Sequence, residues 1–267
     1  MRPWTLPPQR QSHLNKPAET ARFQLYVWPQ RLLVLAPAHA SARHRHHAVQ
    51  LAFGLDGPVT FETAQAGLVR ADLLLIPPDT LHGHPAFGPW AGLYLDAESA
   101  DWRQLSGGEG DGPVALPLDD RLRALAHAAA AGDVGAARSV VDGIVGTPVS
   151  RVHGDALVSR ACTLVRAQLA EPVRLASLAR AVHCSPSRLA HRFREATGVP
   201  LRRYVLWCRL RGAVEAAMRG SSLTEAAHAA GFADAAHLSR TFRATFGIVP
   251  SFLFARGRVN VTFCEAP

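Results

Sequence analysis

The sequence predicts an α+β chain: a small N-terminal β-barrel, then a helical hairpin, then an all-α C-terminal domain with two helix-turn-helix units. Three observations predict it. Short apolar or alternating runs broken by Gly and Pro fill residues 22–96, the pattern of a small barrel or sandwich. Two apolar stripes at helical spacing follow over 119–145. Beyond them, sliding the chain by 49 positions superposes a set of apolar anchors and glycines on a second copy of itself.

The strands are expected at Arg22–Trp28, Arg31–Ala36, Ala48–Phe53, Val59–Thr63, Asp72–Ile76 and Gly92–Leu95. Pro29, the Gly54-Leu55-Asp56-Gly57-Pro58 turn, Gly67 and Pro77-Pro78 punctuate them. The glycine-rich stretch from Ser106 to Pro117 reads as a loop. Leu122, Leu125, Ala126 and Ala129 stripe one helix; Val134, Ala137, Val140, Val141 and Ile144 stripe the next, with Gly132-Asp133 as stop and restart. Those stripes need cover, which either a second copy of the chain or the barrel itself would supply. The division expected is thus a sensor and dimerisation domain over 1–146, a linker over 147–155, a helical domain over 156–256 and a tail over 257–267.

In the repeat, Ala181 meets Ala230, Leu189 meets Leu238, Phe193 meets Phe242, Arg194 meets Arg243 and Gly198 meets Gly247. In the first copy Leu175, Leu178, Ala179 and Val182 stripe one helix, and His183-Cys184 makes the turn. Ser185 is an N-cap with Pro186 at N1, and Gly198 ends the second helix as a left-handed cap. In the second copy Ser222-Leu223-Thr224-Glu225 is a capping box, Gly231 permits the turn, Asp234 caps the next helix and Gly247 closes it. Leu189 and Phe193, like Leu238 and Phe242, anchor the second helix by i, i+4 packing. Their opposite faces carry Ser187, Arg188, His191, Arg192 and Arg194 in one copy, and Ala235, Ala236, His237, Arg240 and Arg243 in the other. Arginine makes bidentate bonds to guanine, while His and Ser bond base edges or phosphates, so these ten residues are the expected contacts to double-stranded DNA.

Charge agrees. Residues 155–258 hold sixteen arginines against six acids, whereas the rest holds thirteen basic residues against fifteen acids. A basic balance confined to one segment marks a nucleic-acid module. No apolar run approaches a membrane span, and Met1 to Asn15 lacks the apolar core of a signal peptide. The widely spaced Cys162, Cys184, Cys208 and Cys264 are expected as reduced thiols, in a cytoplasmic protein.

Gly231-Phe232-Ala233-Asp234, His237-Leu238-Ser239-Arg240-Thr241-Phe242-Arg243 and Phe246-Gly247-Ile248-Val249-Pro250-Ser251 resemble the signature of the AraC/XylS family of bacterial transcription regulators, as does Arg209-Leu210 with Ala213. The resemblance covers about Ala156 to Arg256 and implies two recognition helices in successive major-groove segments of promoter DNA. It also implies activation through RNA polymerase. Ala235 and Ala236 depart from the longer polar side chains usual in the family, which moves base reading toward His237 and Arg240.

His44-Arg45-His46-His47, Gln50, and Leu81-His82-Gly83-His84 form a second constellation. Strand alternation would place His44, His46 and Gln50 on one face, with His82 from a neighbouring strand. The pattern is similar to the cupin-like sensor domains found in that family, with Gln50 where metal-binding cupins often have Glu. Three readings stay open: structural histidines, groups lining the pocket of a small-molecule effector, or ligands to a transition metal, the default being no cofactor. No nucleophile elbow or reactive motif is present, so catalysis is not expected. The alternative to a one-component regulator, acting alone or as a homodimer, is a metal-dependent cupin enzyme with a helical appendage; a sequence-blind basic DNA-packaging protein is a third.

Overall fold

Alternation of side chains across strands decides how the N-terminal domain is layered. The computed structural model describes residues 22–106, 112–146, 155–255 and 257–265. Its first nine strands are β1 (Phe23–Trp28), β2 (Arg31–Ala36), β3 (Ser41–His44), β4 (Val49–Gly54), β5 (Val59–Thr63), β6 (Gly67–Ala71), β7 (Leu73–Ile76), β8 (His82–His84) and β9 (Trp90–Leu95). Then come α1 (Ala100–Ser106), β10 (Val114–Leu116), α2 (Asp120–Ala130) and α3 (Val134–Val145). The helical domain runs through α4 (Ala156–Ala167), α5 (Leu175–Ala181), α6 (Pro186–Thr197), α7 (Leu201–Met218), α8 (Leu223–Ala229), α9 (Ala235–Phe246) and α10 (Pro250–Leu253), and β11 (Val259–Phe263) follows it.

Two sheets result, ordered β10-β7-β4-β9-β2-β1-β11 and β3-β8-β5-β6. The small barrel or sandwich expected from the sequence takes the form of two sheets that do not close on each other among the described residues. The long sheet ends on β10 and β11 and the short one on β3 and β6, so no hydrogen-bonded ladder joins them. β10 also falls inside the stretch expected to be loop, where it pairs Val114–Leu116 with Leu75–Leu73.

One face of the long sheet presents Tyr26, Leu33, Leu51, Phe53, Leu93 and Leu95 to Ala126, Ala129, Ala137, Val140 and Val141 of the hairpin. The Tyr26 hydroxyl donates to the Ala129 carbonyl at 2.7 Å. The apolar stripes of α2 and α3 thus cover the sheet, and this settles which of the two expected covers they meet within one chain. Asp119 and Asp133 cap the two helices through Arg121 N and Ala136 N.

The other face of the long sheet, with Phe23, Leu25, Ala52, Leu74 and Trp90, shares a core with Leu210, Ala213, Ala226, Phe232, Leu238 and Phe242 of the helical domain. A second correction concerns 257–267, expected as a tail. Residues Val259–Phe263 add a parallel strand to β1, from Phe23↔Val259 to Val27↔Phe263. Val-Asn-Val-Thr-Phe alternates β-branched and polar residues, and the edge of β1 offers backbone groups that need partners. Because β11 is the next element after α10, the chain that leaves the second helix-turn-helix unit is tied to the N-terminal sheet by backbone bonds.

Candidate nucleic-acid interface and buried histidine cluster

Each unit is built from the caps the sequence implies. The Ser185 side chain accepts from Arg188 N at 3.3 Å, and the Asp234 side chain from His237 N at 2.5 Å. Ser222 and Glu225 close a reciprocal capping box. Gly198 and Gly247 end α6 and α9 in the left-handed region. His183, at φ 58°, turns α5 into α6; Gly231, at φ 77°, does the same for α8 and α9. A Cβ on Gly231 would stand 2.6 Å from the Leu169 carbonyl oxygen. Gly231→Ala is therefore expected to destabilise the second unit by about 1–3 kcal/mol, the cost of forcing a side chain into that backbone region. Urea unfolding checks it, and an unchanged midpoint would contradict it.

Leu189, Phe193, Leu238 and Phe242 are buried, which fixes the outward faces. Ser187, Arg188, His191, Arg192 and Arg194 are exposed on α6, and Ala236, His237, Arg240 and Arg243 on α9, with Ala235 half-buried. Arg192 is partly diverted: it pairs with the α4 cap Asp155 at 2.8 Å and approaches Glu195 at 3.8 Å. α7 joins the units and, at 18 residues, spans about 27 Å at 1.5 Å per residue. That is comparable with the DNA helical repeat of about 34 Å.

The helical domain is seated on the N-terminal domain through one face of α7 and the C-terminal end of α9. Buried Asp96 accepts from Trp207 Nε1 at 2.9 Å and pairs with Arg211 at 2.5 Å. Glu98 lies 3.1 Å from His47 Nε2 and 3.3 Å from Arg166, which donates to the Tyr204 hydroxyl at 2.8 Å. Arg203 pairs with Asp79. At the other end, Ala42 N donates to the Gly247 carbonyl at 3.0 Å.

Between the sheet and α9 lies a cavity lined mainly by apolar groups, among them Leu25, Trp90, Tyr94, Phe242, Phe246 and Leu253. The indole Nε1 of Trp90 is buried without a partner. His44, His84 and Gln50 also reach this cavity.

His44, His46, His82 and Gln50 do come together, and all four are buried. The geometry that unites them differs from the one the sequence suggests. His44 ends β3 in the short sheet, while Gln50 lies on β4 in the long one. The chain crosses between sheets over residues 45–48, so facing sheets bring these side chains together, and alternation along one strand does not. His44 and His82 are cross-strand partners on β3 and β8.

Each ring is oriented by a backbone carbonyl. Nδ1 of His44, His46 and His82 donates to the carbonyls of Ala42, Ala48 and Thr80 at 2.8, 2.7 and 2.9 Å. A carbonyl only accepts, so Nδ1 carries the proton in all three. Burial pushes His44 down to about 3, with His46 adding to the effect. Burial likewise lowers His46 and His82. The rings are thus neutral at ordinary pH, with Nε2 lone pairs free to act as ligands. The Gln50 side chain stands 3.1 Å from Nε2 of both His46 and His82. One ligand atom from each histidine lies within 4.8 Å of the others. Three neutral imidazoles held by carbonyls fit the coordination sphere of a divalent transition ion. The sequence reading named His47 and His84 without giving them a role and did not name His39: His47 meets Glu98, which Arg166 of the helical domain also approaches, and His39 and His84 pack against Trp90. All four cysteines are free, and burial pushes the Cys162 and Cys208 thiols up to about 12, far from a reactive thiolate.

Residues 178–256 match the helix-turn-helix domain family. Among solved structures, the chain is similar to ToxT from Vibrio cholerae O395, at 12% identity and a TM-score of 0.57, covering 88% of this chain and 99% of that one. It is similar also to wild-type ToxT from V. cholerae strain SCE256 with an unsaturated fatty acid bound, at 12% identity and a TM-score of 0.52, covering 90% and 97%. The likeness to ToxT extends over both domains and shows a shared fold. Two capped recognition helices joined by a long helix, on a sheet-rich N-terminal domain, define a DNA-binding transcriptional regulator. Its C-terminal domain is a helix-turn-helix domain of the AraC type. Among the described residues no helix is long and apolar enough to cross a membrane.

Proposed function

We propose that the protein is a one-component activator that binds promoter DNA through α6 and α9 and answers a small apolar molecule held between the sheet and α9. One observation carries the first half: two independently capped units each turn a basic, exposed face outward from an anchored second helix. Arg188 and Arg240 both lie on the outward faces, where the repeat matches them to His237 and His191, and neither is tied into an ion pair shorter than 4 Å among the described residues. The second half is supported by the apolar lining of the cavity and by its position against Phe242 and Phe246 of the second recognition helix. The relative from V. cholerae crystallised with an unsaturated fatty acid supports an apolar effector of this kind. RNA polymerase and a second copy of the chain complete the set of partners in this reading, which places the protein in the cytoplasm. The residues assigned to DNA are those of the two outward faces; the reading assigns no catalytic role.

Selection from a random DNA library with the full chain, at stated salt, tests the proposal. A motif of two blocks about one helical turn apart is expected. Salt-sensitive binding without a motif would overturn it. Arg240→Ala is expected to relax preference at one base position and to weaken binding by about 1–3 kcal/mol. Repeating the selection with that variant checks this, and an unchanged motif would remove Arg240 from the reading face.

A further inference from the structure

Side chains of β9 alternate across the long sheet. Leu93 and Leu95 pack under the α2–α3 hairpin, so Tyr94 between them faces the helical domain. Tyr94 lines two cavities: the one against α9, of about 80 Å³, and a second beside α7, of about 50 Å³. The two share Leu32, Val214, Met218 and Phe246 as well. Together they approach the size of a cavity that accepts benzene, about 150 Å³, which sets the scale at one small ring or a short chain. The Tyr94 ring is half-buried, and its hydroxyl has no hydrogen-bond partner among the described residues.

The fixed charges around this space are already paired. Among the described residues that line the cavity against α9 there is no Arg, Lys, Asp or Glu. The second cavity reaches Arg31 and Arg211. Arg31 makes a bidentate contact to Asp101 at 2.6 and 2.8 Å, and Arg211 pairs with Asp96 at 2.5 Å. Asp96 and Asp101 are themselves buried. An anionic head group would take either guanidinium only by leaving one of those carboxylates buried without its counter-charge, and a broken buried pair is costly. Glu215, also in the second cavity, is paired with Arg219 at 2.8 Å, so a cationic head group finds no unpaired carboxylate there. What the space does offer is a phenol, which at ordinary pH donates one hydrogen bond.

We propose that the molecule held beside α9 is uncharged, apolar over most of its surface, and carries a carbonyl or ether oxygen that accepts from the Tyr94 hydroxyl. Tyr94 is then the residue that sets specificity in this cavity, and the proposal rests on the reading of the cavity as an effector site. Val214 and Met218 belong to α7 and Phe246 to α9, so the occupant touches both the joining helix and the second recognition helix.

The test titrates the full chain with three probes: cyclopentanone, methylenecyclopentane and cyclopentanecarboxylate. The first two share a shape and differ in whether the head atom accepts a hydrogen bond; the third is an anion. Occupancy is read from the NMR signal of the Met218 methyl group, one of two methionines in the chain and identified by its loss in Met218→Leu. Cyclopentanone should move that signal saturably and bind at least about fivefold more tightly than either other probe, the ratio that one ordinary hydrogen bond supplies. In Tyr94→Phe the ketone should lose its advantage over the alkene. Equal affinity for ketone and alkene in the wild-type chain would overturn the acceptor, and tightest binding of the carboxylate would overturn the uncharged class. Either result leaves the cavity standing as a ligand site. A Met218 signal that none of the three probes moves would instead overturn the effector reading of the cavity and this inference with it.

Discussion

Phe242→Ala is expected to cost about 3–5 kcal/mol, the range for deleting a buried aromatic side chain. Phe242 is 2% exposed and sits in the core that joins the second unit to the long sheet. Its ring centroid is 4.8 Å from that of Phe246 and 5.9 Å from that of Phe254. It also lines the cavity against the sheet. The loss should therefore appear in two places: as unfolding of α8 and α9, and as a loosened seat for α9 on β3. Phe193→Ala supplies the comparison. Phe193 is just as buried, but its core contains Val158, Leu178, Leu189 and Tyr204 of the first unit and none of the sheet. Chemical unfolding combined with exchange at residues 41–47 separates the two variants. Both should lower stability, and only Phe242→Ala should raise exchange in β3. A Phe242→Ala chain within about 0.5 kcal/mol of wild type, the spread of ordinary surface changes, would refute the assignment of the buried face.

Why α5, α6, α8 and α9 were readable from the sequence is physical. Their caps, turns and i, i+4 anchors all lie within about twenty-five residues in each unit, so local spacing contains the whole argument. The hairpin was readable for the same reason, although its stripes alone did not say whether a second copy or the sheet covers them. β3 and β8 were not readable, being four and three residues long. Their burial comes from partners far along the chain and not from a pattern of their own. β11 pairs with a strand more than two hundred residues earlier, and nothing near 259–263 announces that edge. The histidine cluster is the instructive case. Its members were identifiable because HxH, Gln50 and His82 are unusual beside apolar strands; the neighbouring strand expected for His82 is found, yet the alternation argument placed His44, His46 and Gln50 on one face of a strand when two facing sheets bring His44 and Gln50 together. α7 shows the converse: Leu201, Tyr204, Cys208, Leu210 and Ala213 bury it against two cores while Trp207 and Arg211 face Asp96, so no single stripe reveals its contacts.

That last contact yields the second large effect. Asp96→Ala is expected to destabilise the seating of the helical domain by about 3 kcal/mol. Asp96 is 4% exposed, and its two oxygens are used by Trp207 Nε1 and Arg211. Removing the carboxylate strands an indole N–H and leaves a guanidinium with only the backbone oxygens of Trp28 and Pro29. The low end of the range for broken buried pairs applies because the Arg211 side chain keeps 28% exposure. A double-mutant cycle separates this electrostatic loss from packing. Arg211→Met alone leaves Asp96 buried without its counter-charge, whereas the double variant Asp96→Leu with Arg211→Met removes both charges and should recover much of the stability. Recovery would show that the pair specifies how the domains dock more than it stabilises them, which suits a regulator whose domains must register a signal across this surface. An Asp96→Ala chain as stable as wild type would mean that α7 is held by its apolar contacts alone, and would move the control of docking to the opposite end of the interface, where Gly247 meets Ala42.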